Sequence, residues 1–156
     1  MVEDRQNQSS RDLDSSSPSP NGLDLSLGRD RRVTQSIHFK EAFAQQNKYV
    51  GRSMILWLRS GEAAALRVGI ITSKKVSLRA NKRNRARRVL RECFRHTRPS
   101  LHGDVDLILV ARRSLLTRSY HSIRAELIQL CNQAGLLTPT AKEQLLKELD
   151  LGSQDA

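Results

Sequence analysis

Long apolar runs are missing from this 156-residue chain, and aromatic side chains are few: three Phe, two Tyr and one Trp. No apolar stretch approaches the roughly 20 residues that a membrane-spanning helix needs. The two cysteines, Cys93 and Cys131, form no Cys-x-x-Cys pair, and the four histidines show no paired spacing. A zinc site is thereby disfavoured, and each thiol falls on the apolar face of a predicted helix, where it packs as a small hydrophobe. Acidic residues are scarce where the chain is most basic. Residues 31–137 hold six acids against 22 bases, a net +16, whereas the whole chain carries +11. A nuclease that cuts phosphodiesters with two metals wants several clustered carboxylates. Only Asp104 and Asp106 stand close together, on what would be one strand face, and no histidine completes an acid–base pattern with them.

The flanks differ from the middle. Residues 1–30 sum to −3 and include SSSPSPNG, a composition too poor in apolar groups to offset the entropy of ordering. They are expected to be a disordered tail. They lack the apolar core of a signal peptide, and their acids argue against an organellar transit peptide, so a cytoplasmic location is expected. Residues 138–156 sum to −2, and Thr140 with Glu143 has capping-box spacing ahead of QLLKELDL. That predicts a short amphipathic helix in a C-terminal tail outside the main domain.

What the chain has in abundance is arginine, concentrated in Ser73–Arg98, SKKVSLRANKRNRARRVLRECFRHTR, with eleven bases and one acid, Glu92. Ala86, Val89, Leu90, Cys93 and Phe94 follow the i, i+3, i+4, i+7, i+8 spacing of one helical face. Asn84, Arg87, Arg88, Arg91, Arg95 and Arg98 then gather opposite. A helix over about 81–96 would dock by its apolar side and offer guanidinium groups to a polyanion. An ordinary solvated face mixes Glu with Lys, because i, i+4 pairs of opposite sign stabilise a helix. This face does not, and its planar donor forks match phosphate geometry. Nucleic acid is therefore the expected partner; a membrane is disfavoured because the charged side lacks large apolar groups for insertion.

Those residues carry a resemblance. Arg83-Asn84-Arg85, preceded by Ser73-Lys74-Lys75 and followed by Arg87, Arg88, Arg91 and Glu92, resembles the signature of the bacterial ribonuclease P protein family, over about residues 32–137. The resemblance implies a protein that binds a large catalytic RNA and assists magnesium-dependent removal of the 5′ leader from precursor tRNA. The metal and the chemistry would belong to the RNA, with no catalytic residue and no metal ligand on the protein. It implies RNA contacts for Lys74, Lys75, Arg83, Asn84, Arg85, Arg87, Arg88, Arg91 and Arg95. The Asn84 amide both donates and accepts, which suits a base edge, a 2′-hydroxyl or a bound water. No protein partner is predicted. A ribosomal or chaperone-like RNA-binding protein is the alternative that the helix alone leaves open.

Around that helix the pattern predicts an α+β domain over 31–137. Ser36 caps a helix over 37–46; residues 53–59 and 66–72 read as strands of a hairpin, with a weak strand near 49–51. Gly69 marks a close backbone approach or a bulge. After the basic helix, residues 105–111 read as a buried strand. Ser119 caps a last helix over 120–134, and Gly135 stops it. The basic residues Arg112, Arg113 and Arg118 fall in the loop between. The resemblance implies a four-stranded mixed sheet and a left-handed strand–helix–strand crossover, where general rules favour the right-handed form. Phe39 and Phe43, at i, i+4, read first as core, with an exposed stacking surface as the alternative. The resemblance implies that both, with Trp57, line a cleft for the 5′ leader. Family members usually carry tyrosine at the last position, so Trp57 departs from the pattern while keeping its aromatic surface.

Overall fold

Alternating apolar residues set the strands, and a 3.6-residue period sets the helices. The computed structural model describes residues 27–155, with the side chains of 27–150. After a 3-10 turn at Arg29–Arg31 come helix α1 (Ser36–Gln45) and strands β1 (Lys48–Val50), β2 (Met54–Ser60) and β3 (Val68–Ile71). Helix α2 (Ala80–Thr97), strand β4 (Val105–Ala111) and a 3-10 turn at Arg113–Thr117 follow. Helices α3 (Tyr120–Gln133) and α4 (Pro139–Asp155) close the chain. The four strands form one mixed sheet in the order β1-β2-β4-β3. β2 is antiparallel to β1 and β4, while β3 and β4 are parallel neighbours joined through α2.

The architecture is α+β, with helices on both faces of the sheet. β4 is nearly continuous in apolar residues because it is central and covered twice. Its Leu107 and Leu109 join Leu90 and Phe94 of α2 and Leu127 of α3 in the larger core. Ile108 faces the other way and meets Val33 and Ala42 of the α1 side in a smaller one. α3 is well delimited. The Ser119 hydroxyl accepts from Ser122 N–H at 3.1 Å, and Gly135, at φ 77°, ends the helix. There Gly135 N–H donates to Asn132 and Leu136 N–H to Cys131, the paired bonds of a Schellman motif.

Several expectations are corrected. β2 and β3 are not a hairpin, since β4 lies between them and pairs with both. Periodicity identifies a strand but not its neighbour, and here buried charge helps to choose it. Asp106 of β4 bonds Arg59 of β2 on one side and Arg67, just ahead of β3, on the other. Ser36 is the first helical residue rather than the cap; Gln35 is the N-cap and makes no side-chain capping bond. At the C-terminal helix the cap is Thr138, whose Oγ1 accepts from Ala141 N–H at 3.1 Å, with Pro139 at the first helical position, so Thr140 and Glu143 form no capping box. That helix spans 17 residues and is no appendage: Leu145 and Leu149 are buried in the larger core. Leu27 also packs against this core, ahead of the expected start at 31. Residues 1–26, most of the expected tail, lie outside the described residues.

Candidate nucleic-acid interface

α2 is anchored by Ala86, Leu90, Cys93, Phe94 and Thr97, all fully buried. The opposite side carries Asn84, Arg85 and Arg88, all exposed, and Arg91, half-exposed at its edge. Among the described residues, no hydrogen bond or ion pair engages the guanidinium groups of Arg85, Arg88 and Arg91. Four other arginines are held. Arg83 donates to Ser77 O at 2.9 Å and Arg87 to Thr72 Oγ1 at 2.9 Å, so each ties one end of the 72–79 loop to the helix. Inside that loop Val76 is buried, while Lys74 and Lys75 stand exposed. Arg95 bonds Glu92 at 2.5 and 3.2 Å, and His96 reaches the same carboxylate at 2.9 Å. The Arg95 hydrogen bond leads in holding the Glu92 carboxyl below its ordinary range. Arg98 donates to Leu66 O and braces the β2–β3 connection.

The predicted set therefore sorts into free and held side chains, with Arg95 among the held through Glu92. Lys74, Lys75, Arg85, Arg88 and Arg91 are free cations, with Asn84 among them. Arg83 and Arg87 position the loop that carries the lysines; Arg87 also donates to Asn84 Oδ1 at 3.4 Å, and each keeps further N–H groups. Spacing placed Arg83 in the motif; the fold turns it toward the buried side of the helix, where its reach finds a carbonyl.

The second candidate surface is the α1 face of the sheet. Strand register lines up Lys48, Trp57, Ile108 and Gly69 in one row, and Val50, Ile55, Val110 and Ile71 in the next. α1 covers the first row. Phe39 lies on Gly69 so closely that a Cβ there would come within 2.6 Å of the ring. Phe43 meets Trp57 edge to face, with centroids 4.9 Å apart, and Lys48 Nζ stands 5.3 Å from the Trp57 ring. The second row is less covered, with Val50 57% exposed. Phe39 is half-buried and Phe43 is 37% exposed, so the two phenylalanines divide between support and surface. A cavity of about 280 Å³ joins the two surfaces, lined by Arg32, Phe39 and Gly69 on one side and Arg87 and Arg91 on the other. Arg32 was missed in the sequence because nothing local distinguishes it from its basic neighbours.

Among the described residues the carboxylates do not gather as a two-metal centre needs. Asp106 is fully buried and accepts from Arg59 at 2.7 Å, from Arg67 at 2.7 and 2.9 Å, and from Ala65 N–H at 3.2 Å. Burial alone would raise its pKa; the bonds from Arg67 and Arg59 outweigh that and leave it lowered. Asp104 lies in the loop before β4, exposed, rather than beside Asp106 on a strand face. No group of three His, Cys, Asp or Glu comes together among the described residues. Burial pushes the thiols of Cys93 and Cys131 up to about 12, as suits packing groups.

An α+β domain with a free guanidinium ridge on a buried anchor, beside a partly open aromatic sheet face, defines a class: small basic proteins shaped to hold a phosphate backbone. The family model for Ribonuclease P matches residues 27–135. A ribonuclease P protein component of Synechococcus sp. (strain JA-2-3B'a(2-13)) is 34% identical over 125 residues, covering 79% of this chain and 88% of the relative. One from Xanthomonas campestris pv. campestris (strain B100) is 35% identical, over 70% of this chain and 72% of its own. The fold is similar to that of the Staphylococcus aureus RNase P protein, at a TM-score of 0.61 and 21% identity over 69% of this chain and 98% of that one. It is also similar to the Thermotoga maritima RNase P protein, at 0.58 and 21% identity over 65% and 96%. This chain belongs to the ribonuclease P protein family, and with it to tRNA processing.

Proposed function

We propose that the chain is the protein subunit of a ribonucleoprotein in which it binds the catalytic RNA through α2 and the 5′ leader of precursor tRNA through the α1–sheet face. The observation that carries this reading is the sorting of α2: Ala86, Leu90, Cys93 and Phe94 are fully buried on one side, and the free arginines of the helix lie on the other. A face of unpaired arginines repels itself, and a phosphate backbone relieves that repulsion. The partly open row Val50, Ile55, Val110 and Ile71, bordered by Phe43 and Trp57, gives single-stranded bases an apolar floor with an aromatic edge.

The cut itself is assigned to the RNA. Magnesium, when bound, would activate the attacking water and stabilise the leaving oxygen of the phosphodiester. The donor set of this protein does not suit the ion: the oxygens of Asp106 are already filled by two arginines and a backbone N–H, and the remaining acids of the basic region are dispersed. The protein's own residues would bind and orient RNA and leader, and they would screen backbone charge so that less magnesium is needed. Such a role belongs in the cytoplasm. The test is reconstitution. Protein alone should leave precursor tRNA intact, and protein with its RNA subunit should release the leader at low magnesium. Cleavage by RNA-free protein that is lost in Asp104→Ala would overturn the assignment.

A further inference from the structure

A second cluster of arginines gathers at the end of the sheet where β1 turns into β2 and β4 gives way to α3. Arg52, Arg112, Arg113 and Arg118 line an open basin of about 600 Å³. The basin has a built floor. Glu126, its side chain only 12% exposed, accepts the backbone N–H groups of Arg52 and Ser53 at 3.1 and 2.9 Å. Arg118 bonds the same carboxylate at 2.6 Å and Ser53 Oγ at 2.7 Å. Arg112 donates to Gly51 O at 2.8 Å, and the Ser114 hydroxyl donates to Arg52 O. The approach of Glu126 requires glycine in the turn: a Cβ on Gly51 would stand 2.7 Å from Oε2. Two guanidinium groups are thus fixed in direction. Those of Arg52 and Arg113 have no partner among the described residues.

One carboxylate among four arginines leaves an excess of positive charge converging on a concave surface, which is unfavourable until an anion fills it. The basin is also continuous with the RNA-binding helix. Arg113 lines a second groove, of about 410 Å³, whose other wall carries Arg79 and Lys82 at the start of α2 and the outward-facing Leu78, 82% exposed. A phosphate backbone lying along α2 would therefore pass Lys82 and meet Arg113 before reaching the other three.

We propose that this basin is a second phosphate-binding site for the same structured RNA that α2 grips, so that the protein holds that RNA at two places. The inference rests on the reading of α2 given above. Its test uses the full-length protein and a transcript of the ribonuclease P RNA subunit, titrated over a range of salt first without precursor tRNA and then with a long-leader precursor present. The variant is Arg52→Ala with Arg113→Ala, because neither guanidinium supports the fold, and an unchanged melting temperature checks this. Two lost phosphate contacts should lower the slope of log affinity against log salt by about 1.4–1.8, at about 0.7–0.9 each. Arg88→Ala with Arg91→Ala runs in parallel. If the α2 pair loses slope and the basin pair does not, the basin is no RNA site, while the α2 reading stands. If the basin pair weakens binding only when precursor tRNA with a long leader is present, the occupant is the leader and the inference fails. If neither pair changes slope or affinity, both readings fall together.

Discussion

Replacing Asp106 by Asn is the sharpest probe of how the strand order is held. The side chain is fully buried, and so is that of Arg59, whose Nη1 lies 2.7 Å from Oδ2. Arg67 bonds both carboxylate oxygens from the other side. An asparagine of the same shape can accept at one atom but turns an amine toward the second donor and removes the charge. Arg59 then keeps Glu41 at 2.8 Å, but that carboxylate is 44% exposed and compensates little. Breaking a buried pair by removing one partner costs about 3–5 kcal/mol, because the remaining charge stays desolvated. Against a typical stability of about 5–15 kcal/mol, the loss would leave the domain marginal or unfolded at 37 °C. Glu41→Gln touches the same arginine from solvent and should cost about 0–1 kcal/mol. Urea unfolding of the three proteins at pH 7 measures both quantities. Acid adds a signature: a carboxyl whose folded pKa is lowered contributes stability above its unfolded pKa and loses it as pH falls through the folded one. The gap between wild type and Asp106→Asn should therefore narrow in strong acid, below the ordinary carboxylate range. Equal stabilities for Asp106→Asn and Glu41→Gln at neutral pH would refute the idea that buried charge pins β4 between β2 and β3.

Other expectations concern the aromatic face, the C-terminal helix and the thiols. Phe43→Ala should cost about 1 kcal/mol of stability, the worth of its edge contact with Trp57, and should weaken binding of leader-bearing precursor by about 1–3 kcal/mol without affecting mature tRNA. An unchanged precursor-to-mature affinity ratio in the assembled enzyme would remove Phe43 from the cleft. Phe39→Ala should instead cost about 3 kcal/mol in folding, because it uncovers Gly69, as thermal melts would report. Leu145→Ala, in a segment that the sequence assigns to a C-terminal tail outside the main domain, should cost about 2–5 kcal/mol by urea titration, since that side chain is buried in the main core. Cys93 and Cys131 should resist alkylation at pH 8 in the native protein and react promptly in denaturant, their thiols being buried and pushed up to about 12.

The sequence by itself determined the features that repeat along the chain. The arginine helix was legible because its apolar positions recur at helical spacing and its charged positions fall between them. The buried strand at 105–111 was legible because six of its seven residues are apolar, as suits a central strand covered on both faces. Ser119 and Gly135 were legible because caps and left-handed turns each admit few residue types; Gly69 marked a tight spot, which the Phe39 ring fills rather than a bulge. Tertiary structure alone decided what depends on partners distant in sequence. β4 lies beside β2 with a carboxylate bonded across the pair to an arginine 47 positions away, a pairing that no local period records. Whether an arginine is free or held turned on what lies within its reach: Arg83 finds Ser77 O and Arg95 finds Glu92, while Arg88 and Arg91 find neither. Arg52 joins Arg112, Arg113 and Arg118 only because β1–β2 and β4–α3 turn at the same end of the sheet. Local chemistry fixes what each segment can become; the sheet's closure in space determines which side chains then share a surface, because distances between remote residues are set by packing and not by sequence.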